Sequence, residues 1–146
     1  MGYRITTNKG EMDIDAIHHY LSQSYWAENV PKSVVATAVE NSLCFAVLVV
    51  AANGNERQVG FARLITDYAT FAYLADVYIL EEHRGKGLSK NMMEQIIQHP
   101  QLQGLRRMML ATRDAHGLYE QFGFTALNDE KMFMQLWKPD VYSQKS

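Results

Sequence analysis

The sequence predicts an α+β fold, a mainly antiparallel sheet covered by helices on both faces in a three-layer sandwich. Three features carry that reading. Leu43 to Ala52 and Val59 to Tyr68 are β-rich runs on either side of Ala52-Asn53-Gly54-Asn55, where Asn-Gly supplies the positive φ angles of a tight reversal, so they pair as a hairpin. Phe71 to Leu80 is apolar on both alternating faces, the pattern of a strand covered on both sides. A helical stripe of Leu88, Met92, Met93, Ile96 and Ile97 separates that strand from Leu105 to Thr112, so strand, helix and strand form a parallel crossover.

The remaining elements follow in order. Arg4 to Thr7 is a short first strand. Ile14, Ile17 and Leu21 mark a helix with Asp13 as its cap, and the chain leaves it near Ser24. After Pro31, the spacing of Val34, Val35, Ala38 and Val39 predicts a second short helix ending by Ser42. Ala115 to Phe122 makes another before Gly123, and Met132 to Trp137 alternates as a final antiparallel strand. The prolines at 31, 100 and 139 fall between these segments, and no repeat interrupts them, so residues 1–146 read as one domain.

Composition narrows the function. Fourteen Lys and Arg against 16 Asp and Glu give a formal net charge of -2, so no overall basic field favours nucleic acid or an anionic membrane. The longest apolar run, Phe45 to Ala52, is too short to span a bilayer, and Met1 to Gly10 lacks the apolar stretch of a secretory signal. A cytoplasmic protein is the simplest expectation. The single cysteine, Cys44, has no partner for an internal disulfide or a cysteine-rich zinc site and reads as a buried strand residue. His18 and His19, adjacent on a helix, face different directions, so no metal site is implied.

Chemistry concentrates at Arg84-Gly85-Lys86-Gly87-Leu88-Ser89, a basic glycine turn opening a helix. Glycines let backbone approach an anion, and the helix start adds unpaired N–H groups and the positive end of its dipole. Arg84 and Lys86 add charge. The spacing matches neither a P-loop nor a dinucleotide-binding Gly-x-Gly-x-x-Gly motif. A second motif, Ala115-His116-Gly117-Leu118-Tyr119-Glu120-Gln121-Phe122-Gly123-Phe124, lies downstream.

Together these two motifs resemble the GCN5-related N-acetyltransferase (GNAT) family, whose signature is Gln or Arg followed by x-x-Gly-x-Gly or Ala. Ser89 stands at the last position in place of Gly or Ala. The resemblance covers most of residues 3–137 and is strongest over 71–124. It implies the GNAT acyl-CoA N-acyltransferase fold, with acetyl-CoA as co-substrate at Arg84, Gly85, Lys86, Gly87, Leu88 and Ser89. The backbone of Val77 and Ile79 is implied to hold the pantetheine arm, while their side chains read as core. Tyr119 takes the position of the acid that protonates the departing thiolate.

Asp76, a carboxylate interrupting an apolar strand, reads either as a base or cation anchor or as a structural aspartate bonded to its neighbours. His116 is a second proton-transfer candidate, and Asp114 reads as the cap of the helix that follows it. Tyr25 and Trp26, between the first two helices, and Tyr68 and Tyr73, around the turn between strands, are candidates for the acceptor pocket or for core packing. The resulting expectation is direct transfer in a ternary complex to a primary amine of a small molecule. The alternatives are a protein lysine or N-terminal acetyltransferase and, from another class, a catalytically silent coenzyme A-binding or interaction domain. A homodimer through a sheet edge is compatible with each.

Overall fold

The computed structural model describes residues 2–143. Five strands form one sheet in chain order, β1 (Gly2–Thr6), β2 (Leu43–Val50), β3 (Glu56–Thr66), β4 (Phe71–Ile79) and β5 (Arg107–Leu110). The first four are antiparallel neighbours, and β5 lies parallel to β4. Helices α1 (Ile14–Leu21) and α2 (Lys32–Glu40) precede the hairpin, α3 (Leu88–Gln98) makes the crossover, and α4 (His116–Glu120) follows β5. Asp13 caps α1 by accepting the amide of Ala16 at 3.0 Å.

Alternation along the strands sends side chains to two cores. Phe45, Val47, Val59 and Leu64 pack under α3 with Met92, Met93 and Ile96, while Cys44, Phe61 and Tyr78 meet α1 and α2 through Ile17, Leu21, Val35 and Val39. This is the three-layer arrangement read from the sequence. Among the described residues, no helix is long and apolar enough to cross a membrane.

The β3–β4 pairing changes register between Phe61 opposite Tyr78 and Arg63 opposite Ala75, so Asp76 and Val77 together face the single residue Ala62. Asp76 takes a left-handed conformation there, φ 58°. Such a bulge reverses the parity of the strand. Ala72 and Leu74 lie under α3, and so do Val77 and Ile79, whereas Tyr78 faces α1 and α2. Asp76 therefore shares the face of Tyr78, opposite the face that unbroken alternation from Leu74 would give it.

Three sequence expectations are corrected. Met132 to Trp137 forms no strand: a short turn at Glu130–Met132 leads into chain without sheet pairing, and Met134 and Leu136 are 97% and 85% exposed. Alternation there marks strand propensity but does not supply a partner edge. Asp114 does not cap α4; the Thr112 hydroxyl accepts the Ala115 amide at 3.2 Å instead. Strand β5 is also shorter than Leu105 to Thr112, because its pairing with β4 ends at Leu74 opposite Leu110.

Candidate acceptor and coenzyme site

The site grows from the point where β4 and β5 stop pairing. Beyond Leu74 and Leu110 the strands carry no mutual backbone bonds, which leaves a gap beside Ala75, Asp76 and Val77. A cavity of about 580 Å³ opens at this gap and runs toward α1 and α2. That size suits a small ligand. Tyr119 from α4, Val77 from β4, and Tyr25, Trp26 and Tyr73 all line it.

Tyr119 is buried, its ring edge-on to Phe124 at 5.9 Å. Burial first, and the neighbouring Tyr25 second, push its phenol above the ordinary tyrosine range, so it holds its proton at neutral pH. Asp76 has both oxygens engaged: Oδ1 accepts the indole N–H of Trp26 at 2.9 Å and Oδ2 accepts Nε of Arg63 at 2.8 Å. The Arg63–Asp76 pair is largely enclosed, with side chains 16% and 10% exposed. Arg63 reaches on to the Ser42 hydroxyl at 3.2 Å. The bulge thus directs the carboxylate to the α1–α2 side, where it bonds Trp26 in the cavity wall.

The glycine turn sits at the N-terminus of α3. Gly85 and Gly87 both have left-handed backbones, φ 78° and 76°, and Gly87 is the residue at the helix cap, with no side chain closing the first turn. A Cβ at either position would meet nothing within 4 Å. The glycines are therefore required by conformation, and the space above them is open. Unpaired first-turn amides facing open space fit a phosphate of a coenzyme.

The side chains of the turn divide the work. Arg84 bonds the Ile79 carbonyl at 2.9 Å and the Tyr20 hydroxyl at 3.3 Å, clamping the turn to β4. Lys86 donates to the Tyr3 hydroxyl at 3.2 Å. Leu88, the first residue of α3, is buried against the sheet core, and Ser89 is half-buried in the same turn. Val77 and Ile79 both pack in the α3 core, and Val77 also borders the cavity.

Not every candidate converges. Tyr25, Trp26, Tyr73, Asp76 and Tyr119 share the cavity, but His116 is exposed and outside its wall, and Tyr68 is exposed on the β3–β4 turn at φ 62°. Among the lining residues that the sequence reading did not single out are Arg63, Arg113 and Tyr142. The signal that could have found Arg63 is its place on the strand paired with β4, whose only carboxylate is Asp76. Arg113 and Tyr142 carry no pattern that marks them. Among the described residues, no group of three or more His, Cys, Asp or Glu side chains could hold a metal ion.

A splayed mixed sheet with a glycine turn at the crossover helix is an acyl-coenzyme-type architecture, and comparison with known proteins agrees. A sequence model of the acetyltransferase (GNAT) family matches residues 14–124. The chain is 36% identical over 135 residues to a protein of Gibberella zeae named as a candidate acetyltransferase, covering 80% of this chain and 75% of that one. It is 32% identical over 95 residues to an uncharacterised N-acetyltransferase of Gracilaria tenuistipitata var. liui, covering 64% of this chain and 52% of the other. The crystal structure of a candidate acetyltransferase of the GNAT family from Xanthomonas campestris pv. campestris superposes with a TM-score of 0.91 at 48% identity, covering 99% of both chains. A Mycobacterium tuberculosis protein crystallised with CoA shares the fold, with a TM-score of 0.64 at 16% identity over 86% of this chain and 73% of the other. The chain belongs to the GNAT acetyltransferase family.

Proposed function

We propose that this protein transfers the acetyl group of acetyl-CoA to the primary amine of a small molecule, directly, within a ternary complex. The observation that carries the reading is one continuous cavity lined both by Tyr119 at the β4–β5 gap and by Tyr25 and Trp26 at the helical end. Donor and acceptor can meet there without a covalent enzyme intermediate.

Acetyl-CoA, when bound, supplies an activated thioester. The turn at Gly85 and Gly87 and the open amides of α3 hold its phosphates, and the unpaired stretch of β4 holds its pantetheine arm in the manner of an added strand. Tyr25, Trp26 and the aliphatic wall of α2 border the place of the amine. The amine reacts as the free base, having given its ammonium proton to water. Its lone pair forms the C–N bond as the C–S bond breaks, and the sulfur takes the Tyr119 phenolic proton. The surplus proton on the new amide nitrogen then returns through water to Tyr119, so the net change is one acetyl exchanged for one hydrogen.

Asp76, with both oxygens already accepting hydrogen bonds, serves as the fixed anchor of Trp26 and Arg63. A screen of small amines and short peptides, following release of free CoA with wild type and Tyr119→Phe side by side, tests the reading. Turnover of small amines that Tyr119→Phe suppresses supports it. Transfer to peptides alone would favour a protein acetyltransferase, and CoA binding without transfer to any amine would favour a silent binding domain.

A further inference from the structure

The acceptor end of the cavity is apolar and carries a net positive charge. Val30, Val34, Val35 and Ala38 form an aliphatic wall, and the ionisable acids and cations lining the whole cavity are Asp76, Arg63 and Arg113. Arg63 and Asp76 cancel each other in their enclosed pair. Arg113 is left over. Among the described residues it makes no salt bridge, and its guanidinium lies 3.8 Å from the centroid of the Tyr25 ring.

The guanidinium thus sits over an aromatic face at the open edge of the cavity, both side chains being exposed, and its N–H donors remain without a protein acceptor among the described residues. Tyr25 also lines the same cavity as Tyr119 and is the neighbour that helps raise its phenol, so the cation and the proposed acid open onto one space. A polyamine or other multiply cationic acceptor would meet a positive cavity whose one carboxylate is already committed. A carboxylate meets the opposite situation: a planar, bidentate donor resting on Tyr25 beside a wall that accepts an apolar side chain.

We propose that the acceptor is a hydrophobic amino carboxylate, a molecule joining a primary amine, an apolar or aromatic body and a carboxylate, and that Arg113 binds the carboxylate. The amine then lies toward Tyr119 and the body against Val34, Val35 and Ala38. This rests on the acetyltransferase reading for turnover, but carboxylate recognition is separately measurable.

The test compares phenylalanine, phenylalaninamide and spermidine as acceptors at fixed acetyl-CoA, for wild type, Arg113→Met and Arg113→Lys. Wild type is expected to prefer phenylalanine over its amide by about tenfold or more in kcat/KM, with spermidine poorest. Arg113→Met brings the acid-to-amide ratio near one, and Arg113→Lys restores part of it. A ratio near one in wild type overturns the proposal. So does an Arg113→Met variant whose main change is a raised KM for acetyl-CoA, which would put the arginine on the donor.

A binding measurement separates this failure from failure of the acetyltransferase reading. Trp26 and Trp137 are the only tryptophans, and Trp137 is 71% exposed, so the fluorescence of a Trp137→Phe protein reports Trp26 in the cavity wall. N-acetylphenylalanine is expected to change that signal at concentrations about tenfold lower than N-acetylphenylalaninamide does. That outcome upholds carboxylate recognition even if no amine is acetylated; equal responses, or none, overturn it.

Discussion

Trp26 and Asp76, 50 residues apart, are joined by an indole N–H to carboxylate hydrogen bond of 2.9 Å, and the same carboxylate holds Arg63 at 2.8 Å. The bond links the loop between α1 and α2 to the bulge of β4, the two walls of the cavity. Removing one partner of an enclosed ion pair leaves the other uncompensated, which costs about 3–5 kcal/mol. Asp76→Asn is the informative change, because asparagine tolerates the left-handed backbone that Asp76 adopts and keeps an acceptor for Trp26. We expect it to lower unfolding free energy by about 3 kcal/mol in urea titration, with part of the loss recovered in Asp76→Asn/Arg63→Met. A loss below about 0.5 kcal/mol would show that the pair behaves as a solvated surface bridge.

Gly87 and Gly54 make a matched pair. Both are left-handed, φ 76° and 87°, and neither has an atom within 4 Å of an added Cβ, so alanine is opposed by conformation alone. Each substitution should cost about 1–2 kcal/mol of stability. Gly54 serves only the β2–β3 hairpin, where its amide bonds Ala51 at 2.9 Å, whereas Gly87 opens α3. Calorimetric titration with CoA should show affinity falling about tenfold or more for Gly87→Ala and unchanged for Gly54→Ala. Equal affinities in the two variants would remove the turn from the coenzyme site.

The hairpin around Asn53-Gly54, the crossover through α3 and the Asp13 cap were legible because each rests on local chemistry: turn conformation, helical spacing, a side-chain acceptor. The position of Asp76 was half legible. Its oddity in an apolar strand was visible, but the face it occupies depends on the bulge opposite Ala62, a two-strand property with no local signature. Arg113 and Tyr142 were not legible, since an arginine after a strand and a tyrosine near a chain end are ordinary surface residues until the fold brings them to one cavity. Met132 to Trp137 failed for the complementary reason: its alternation is real, but a strand needs an edge to pair with, and only tertiary structure decides that.

Cys44 tests the core on the α1–α2 side. It is fully buried, and burial pushes its thiol up to about 11. At about pH 8 only about one thiol in a thousand would be ionised, and none is accessible. Ellman's reagent should therefore leave the native protein unmodified over an hour and react with one equivalent in urea, its rate following global unfolding. Rapid stoichiometric labelling of the native protein would mean that this core opens locally.

The Tyr119 phenol links the proposed acid role to alkaline stability. If it donates the proton to the departing sulfur, Tyr119→Phe removes a general acid, an effect of about a hundredfold or more on kcat, with little change in the KM for acetyl-CoA. Its folded pKa is raised, by burial first and Tyr25 second, above the unfolded value near 10. The stabilisation that this gives is fully present below about pH 10 and is lost as pH rises through the folded value, because the unfolded chain releases the proton first. Tyr78 is raised in the same direction, mainly by burial, so Tyr119→Phe should flatten the alkaline fall in urea midpoint without abolishing it. Turnover equal to wild type would reject the acid role, while an unchanged alkaline slope would mean that Tyr119 ionises as freely in the folded protein as in the unfolded chain.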